Sequence, residues 1–493
     1  MSKSRKLKVL MAGAELAPFA KVGGLGDVMG ALPKALARNN VDVKVMLPFY
    51  GHIDKRKHKV KLVEKNISIE IDNEVDSFDL YKTTLPGSRV PLFLVKHPIF
   101  DFKKVYIGSK NVVKMSGKRK EIKDIQRFAF FAKAIARTIE KKKWELDVVH
   151  AHDWHLALLP TFIDEYSLRH PHFRNIKTLF TIHNLAMQGI TGLDIVDYGG
   201  LHNKMTPALM EDYYDKDGDV IDFMKVGILS ADYINTVSPN YAKEILTKEY
   251  GEGLEQYLQR RKKNLYGIIN GIDVRVFDPQ KDKFLKKKYS LKTVGKNKKI
   301  NKQFLQTKQG LAKNDVPLFG LVSRLVSQKG MDILVPALDK VLAKNEMQVI
   351  VLGTGDPMIE KQVVALAKKY PKKVKANITF SLDMAQRIYA GSDFFLMPSR
   401  FEPCGLGQMM AMRYGTVPIA RKTGGLKDTV KNNKTGVVFE KYTITATKVA
   451  LEQALKIYNN PVKMEKMVKA GMKEDFSWEN SAKMYKNLYK KLK

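Results

Sequence analysis

The chain has a single cysteine, three tryptophans and no histidine beyond position 202. One cysteine excludes a disulfide framework and an all-cysteine zinc site. No apolar run reaches the ~18 residues that a membrane-spanning helix needs, so no membrane insertion is expected. The opening MSKSRKLKVLMAG passes from a basic tail straight into a strand-like run. It lacks the longer apolar stretch and cleavage site of a secretory signal, and the expected compartment is the reducing cytoplasm. Core-forming residues are not lacking. Hydrophobic residues make up 44% of 493, which excludes a disordered or collagen-like chain. At roughly 150 residues per domain, the length suits about three domains or two large ones.

Acidic residues are scarce as well: 86 Lys and Arg face 51 Asp and Glu, a formal net charge of +35. Such an excess raises the question of a polyanionic partner. The basic residues are spread along the whole chain, in runs such as 141–143 and 286–288. No recognition helix, RNP-type aromatic strand or zinc finger accompanies them. The charge therefore reads as solvated helix faces, and no specific nucleic-acid partner is expected. An anionic small substrate would still gain from the field.

The hydrophobic pattern alternates strand and helix, the signature of doubly wound α/β domains. Strands are expected at 8–13, 41–47, 146–150, 178–182 and 233–237. Helices are expected from about 27 to 38 and from 127 to 141, strands and turns over 58–96, and loop over 97–123. A second set of strands is expected at 317–322, 348–352, 394–397 and 416–419. Two sequential domains follow, 1–250 and 251–476, with a hinge near 243–262. The tail 477–493 reads as a basic helix carrying Trp478, Tyr485 and Tyr489, able to fold back on the first domain. Because every histidine lies at or before 202, imidazole chemistry belongs to the first domain. The second must work with Arg, Lys, Glu and backbone amides.

Six segments sit where a strand gives way to a loop or helix, the edge at which α/β sheets bind ligands. KVGGLGD at 21–27 offers backbone N–H groups around Gly24, with Lys21 as a point charge, an arrangement suited to anions. It is neither the dinucleotide fingerprint nor a Walker loop. HAHDWH at 150–155 gathers three histidines with Asp153. The metallo-hydrolase pattern needs a residue between the second histidine and the aspartate, and here Asp153 follows at once, so no metal is expected. TIHN at 181–184 places His183 and Asn184 at a strand end. SRLVSQKG at 323–330 carries Arg324 and Lys329, a planar fork and a compact charge able to converge on one phosphate. PSRFEPCGLGQ at 398–408 holds Glu402 before a helix, either as a charge complement to that helix or as a ligand for sugar hydroxyls. Cys404 within it reads as a small buried hydrophobe. TGG at 423–425 is a further glycine turn opening a helix.

Taken together and in this order, these segments resemble the bacterial glycogen synthases and plant starch synthases, glycosyltransferase family 5. The resemblance runs over nearly the whole chain and also includes NGID at 270–273 and RKTGGLKDTV at 421–430. FEPCGL with the lysine–glycine loop is its most specific part. Segment 97–123 matches less well, and FSLD at 380–383 lacks the tyrosine often found there. A second glutamate, frequent in the wider superfamily eight residues after the first, is replaced by Met410. The resemblance implies two Rossmann-like domains facing across a cleft, the GT-B fold. It implies transfer of glucose from a nucleotide-glucose, usually ADP-glucose, to the non-reducing end of an α-1,4-glucan. Configuration is retained, and neither a cofactor nor a metal is needed. UDP-glucose, or another retaining transferase of the same fold, is the alternative.

The implied catalytic set is Lys21, His183, Arg324, Lys329 and Glu402. Donor binding falls to Lys21, Gly24, Arg324, Lys329, Glu402, Cys404, Gly405, Leu406, Thr423, Gly424 and Gly425. Asp27, Asp153, His155 and Asn184 are the acceptor-side or orienting candidates.

Overall fold

The computed structural model describes residues 5–108, 110–200 and 220–493. The chain divides into two compact units. The first comprises Met1–Val237, Ala242–Ile268 and Trp478–Lys493; the second comprises Ser238–Tyr241 and Ile269–Ser477. The break thus falls at 268/269 rather than at 250/251, and the expected hinge segment, 243–262, belongs to the first unit.

The first unit is built on nine strands: β1 (Lys8–Ala12), β2 (Asp42–Pro48), β3 (Lys61–Ile71), β4 (Glu74–Thr84), β5 (Pro91–Lys96), β6 (Val148–His152), β7 (Lys177–Ile182), β8 (Tyr233–Thr236) and β9 (Leu265–Gly267). Their spatial order is β9-β8-β7-β6-β1-β2-β5-β4-β3. Neighbours from β9 through to β5 are parallel; β4 is antiparallel to both β5 and β3. The sequences explain the difference. The parallel strands are near-continuous apolar runs such as VLMA, buried on both faces. By contrast β3 alternates, and its outer end carries exposed Lys61 and Lys65, charges that discourage edge-to-edge pairing. A short hairpin, Asn111–Met115 with Lys118–Ile122, lies where only loop is expected. Its turn at Ser116–Gly117 takes positive φ at both residues, and its lysines hide the alternation from a hydropathy reading.

Helix α1 (Gly24–Arg38) starts three residues before the expected point, because glycines in a first turn need no intrahelical partner for their N–H. Gly30 within it is packed so closely that a Cβ would lie 2.7 Å from Ala17 O. Helix α2 (Asp124–Lys141) likewise extends the expected helix by about one turn at its N-terminus.

The second unit holds a six-stranded parallel sheet: β10 (Leu318–Val322), β11 (Gln348–Leu352), β12 (Val374–Asn377), β13 (Phe394–Met397), β14 (Val417–Arg421) and β15 (Val437–Phe439). Its order is β12-β11-β10-β13-β14-β15. Reversal of order between β10 and β13 makes a switch point, where α/β sheets open a crevice for ligands. Helices α3 (Met331–Leu342), α4 (Gly407–Arg413) and α5 (Gly424–Thr429) each follow a strand of this sheet.

The last helix, α6 (Trp478–Leu492), returns to the first unit and packs on α1. Its buried residues, Trp478, Ser481, Ala482, Tyr485, Leu488, Tyr489 and Leu492, recur at helical spacing along one stripe. Arg38 pairs with Glu479, and Lys486 Nζ donates to Asn39 O at 2.8 Å. Deeper in, the Tyr489 hydroxyl lies 2.8 Å from His150 Nδ1, and Asn235 Nδ2 donates to the Tyr485 hydroxyl at 3.0 Å. Replacing Tyr489 with Phe strands one buried ring nitrogen, at a cost of roughly 1–3 kcal/mol. Thermal unfolding of Tyr489→Phe is expected to start earlier than in the parent chain; an unchanged midpoint refutes this anchoring role.

Candidate functional site

Three loops of the second unit meet at the carboxyl ends of β10, β13 and β14. Gly330, with φ 73°, closes the first loop, and a Cβ there would fall 2.1 Å from Pro398 O. Only glycine permits both that backbone and that approach. Arg400 N donates to Gln328 O at 2.8 Å, stitching the first loop to the second. Gly424, with φ 44°, sits so close that its Cβ would lie 1.9 Å from Glu402 O. This crowding fixes Glu402, whose side chain is only 7% exposed. Its Oε2 accepts from Lys329 Nζ at 2.7 Å and from Ser399 Oγ at 2.9 Å. A buried carboxylate needs such partners.

Arg324 lies on the same loop as Lys329 but is exposed and touches neither Lys329 nor Glu402 among the described residues. Cys404 is buried, and burial pushes its thiol up to about 12, so it stays protonated and inert. Gly405 adopts φ 73° beside Gln408, whose amide donates to Gly405 O at 2.9 Å. Leu406 caps α4 and is partly exposed, while Thr423 is buried ahead of α5. The Gly425 amide donates to Glu402 O at 3.0 Å and to Pro403 O at 3.2 Å. It therefore holds two loops together and is not offered to a ligand, which corrects the idea of an open donor there.

In the first unit the glycine loop is also occupied. Glu15, 4% exposed, accepts from Val22 N at 2.8 Å and Gly23 N at 2.7 Å on Oε2, and from the Tyr106 hydroxyl at 2.7 Å on Oε1. The anion cradle read from the sequence exists, yet the anion in it belongs to the protein. Nothing in the spacing marked Glu15; an isolated acid inside the apolar GAELAPFA was the one available signal. Lys21 pairs with Asp27 at 2.6 Å, both partly exposed beside Gly24.

Strand β6 runs on to His152, which puts His150 and His152 on one face with ring centroids 4.0 Å apart. His150 has both nitrogens engaged, by Tyr489 and by Thr181 Oγ1 at 2.7 Å. His152 Nδ1 lies 2.9 Å from His183 Nε2. Asp153 turns the chain at φ 59°, is buried, and accepts the His183 N–H at 2.9 Å. Burial pushes its carboxyl up to about 7, against the pull of the His183 and Asn184 amides. His155 is stacked between Tyr106 and Trp154, with Phe128 edge-on. Desolvation pushes both His155 and His183 down to about 3, so both are neutral. Asn184 Oδ1 accepts Ala186 N at 3.3 Å, shaping the following turn. Among the described residues no cluster of His, Cys, Asp and Glu is arranged to hold a metal ion. A separate cavity of about 550 Å³ beside Arg137 and Tyr166 contains none of these residues.

Two parallel-sheet α/β domains with loops converging at strand ends define a glycosyltransferase of the GT-B fold. The chain belongs to the glycogen and starch synthase family. Residues 8–260 match the starch synthase catalytic domain and residues 302–473 match glycosyl transferases group 1. The chain is 43% identical over 495 residues to the glycogen synthase of Kosmotoga olearia, covering 98% of each. It is 40% identical over 499 residues to that of Fervidobacterium nodosum, covering 99% of each. Among solved structures it is similar to the catalytic domain of starch synthase IV from Arabidopsis thaliana bound to ADP and acarbose, with TM-score 0.87, 31% identity and 99% of both chains covered. Sucrose-phosphate synthase from Thermosynechococcus elongatus, with TM-score 0.58 and 18% identity over 99% of each, shares the fold.

Asp153 makes stability depend on pH. Its folded value, about 7, lies above the ordinary 3.8, so the folded chain binds the extra proton between those limits. The contribution of Asp153 to stability is expected to fall as pH rises through that window, while buried His155 and His183, held down at about 3 against the ordinary 6.5, add a contribution that rises with pH below 6.5. Asp153→Asn should remove the falling contribution, so that stability in denaturant titrations rises more, or falls less, with pH across the window than in the parent chain; an equal slope in both proteins refutes the assignment.

Proposed function

We propose that this chain elongates an α-1,4-glucan by transferring glucose from ADP-glucose to its non-reducing end with retention of configuration. The observation that carries the proposal is the Lys329–Glu402 contact, 2.7 Å long, between loops fixed at a switch point. A diphosphate arriving there competes for the Lys329 ammonium and releases the Glu402 carboxylate to sugar hydroxyls. Exposed Arg324 adds a planar fork for the same phosphates. The bond that breaks joins the anomeric carbon to a diphosphate oxygen, and negative charge grows on the departing nucleotide. Arg324 and Lys329 meet that charge, with the amides at Gly405 and Leu406 as further donors. Glu402 orients the glucose in the second unit, and His183 is the first unit's candidate for a sugar hydroxyl. Retention follows from front-face attack, with the leaving phosphate taking the proton of the acceptor hydroxyl.

Lys21, Gly24, Asp27, Asp153, His155 and Asn184 shape the part of the reaction assigned to the first domain. Asp153 and His155 act there as buried supports, and Lys21 once it leaves Asp27. ADP in the Arabidopsis neighbour favours an adenine nucleotide over UDP-glucose. A metal has no role in the proposal: His150, the first histidine of the cluster, spends both nitrogens on protein partners. The proposed place of action is the cytoplasm, where the nucleotide-sugar and the glucan would meet. No helix among the described residues is long and apolar enough to cross a membrane.

Purified protein given labelled ADP-glucose or UDP-glucose with glycogen should place label in polymer from ADP-glucose. Absence of polymer label from either donor overturns the proposal. Arg324→Ala and Lys329→Ala should each lower kcat by ~10²-fold or more, the scale of losing one charge-stabilising donor. Because Arg324 is exposed, its loss tests chemistry with little effect on folding; full turnover in both variants removes the leaving-group role.

A further inference from the structure

His152 ends β6 with its ring fully buried, and its Nδ1 faces His183 Nε2 across 2.9 Å. Two ring nitrogens at that distance share one proton, so one histidine donates and the other accepts. The remaining nitrogen of His152, Nε2, is buried and meets no partner. A buried N–H without an acceptor is rarer and costlier than a lone pair without a donor. The His152 proton therefore sits on Nδ1. His150, tilted against the same ring, cannot change this, since Tyr489 and Thr181 hold both of its nitrogens. Burial keeps the His152 and His183 rings neutral, so no second proton satisfies both sides.

We propose that His152 is a positioning residue that donates Nδ1–H to His183 Nε2, fixing His183 as the Nδ1–H tautomer. His183 then meets its ligand as a hydrogen-bond donor and not as a base. Asp153 completes the device by holding the His183 backbone N–H at 2.9 Å, so ring and main chain are both set. No protein group among the described residues meets His183 Nδ1, and the residue is partly exposed. The ligand of that N–H is a glucosyl hydroxyl oxygen, a statement that rests on the function proposed above; the tautomer itself does not.

The experiment records two-bond proton–nitrogen spectra of the full chain labelled with ¹⁵N-histidine, with His183 assigned by its loss in His183→Gln. The expected spectrum shows Nδ1 protonated and Nε2 as an acceptor. A protonated Nε2 on His183 overturns the proposal, and this result needs neither a variant of His152 nor any activity. His152→Asn retains an amide donor near the place of Nδ1 and should keep both the tautomer and kcat/KM. His152→Leu removes the donor; His183 should then show mixed tautomers and kcat/KM should fall roughly three- to tenfold, the worth of one hydrogen bond. A pure Nδ1–H signal persisting in His152→Leu also overturns it. If the parent chain transfers no glucose at all, the function fails, while the spectra still decide the tautomer.

Discussion

The ion pair between Lys329 and Glu402 is the contact around which the second domain's loops are arranged. An uncompensated carboxylate at Glu402's depth would cost several kcal/mol, and the ammonium removes that cost. The loops can bring the two groups together only because Gly330 and Gly424 let backbone approach backbone where any Cβ would collide. Charge and steric constraint thus act as one unit. Glycines set the spacing, the spacing sets the pairing, and the pairing holds a cation at a strand end.

The first domain solves a related problem with neutral groups. Its histidines are buried beside one another, and desolvation strips them of charge. Two directed hydrogen-bond pairs result: His150 is tied to the C-terminal helix by Tyr489, and His152 faces His183. Glu15 does for the glycine loop what Asp153 does for the segment at His183: a buried carboxylate collects backbone N–H groups and fixes a turn. Buried polar groups are mostly hydrogen-bonded, and here the bonds collected by Glu15 and Asp153 specify where the two loops lie.

Much of this was legible in the sequence where burial on both faces leaves an unbroken apolar run. Strands 348–352 and 394–397 coincide with their expected limits. The hairpin over 111–122 escaped, because its alternation is carried by lysines on a solvated surface. The domain boundary escaped too: no composition shift marks 268/269, and only packing assigns 251–268. In the second unit, three of the segments singled out at strand ends, 323–330, 398–408 and 423–425, are brought together by the fold. What sequence could not give was where each amide is spent. The two glycine turns that open α1 and α5 look alike on paper. In the first, the amides of Val22 and Gly23 serve the Glu15 side chain; in the second, that of Gly425 serves main-chain oxygens at Glu402 and Pro403.

The return of α6 to the first unit has a consequence for biosynthesis. A ribosome delivers residues 1–237 long before 478–493, so the earlier domain waits for its last layer until that helix has been made. During that interval the apolar faces awaiting Trp478 and Leu488 and the polar spots awaiting Tyr485 and Tyr489 stay uncovered, a period in which a nascent chain is open to misassembly. The second domain, by contrast, is contiguous but for Ser238–Tyr241 and can close as it emerges. Order of synthesis and order of completion are therefore reversed, and a stop codon just before position 478 would leave the first unit, not the second, unfinished.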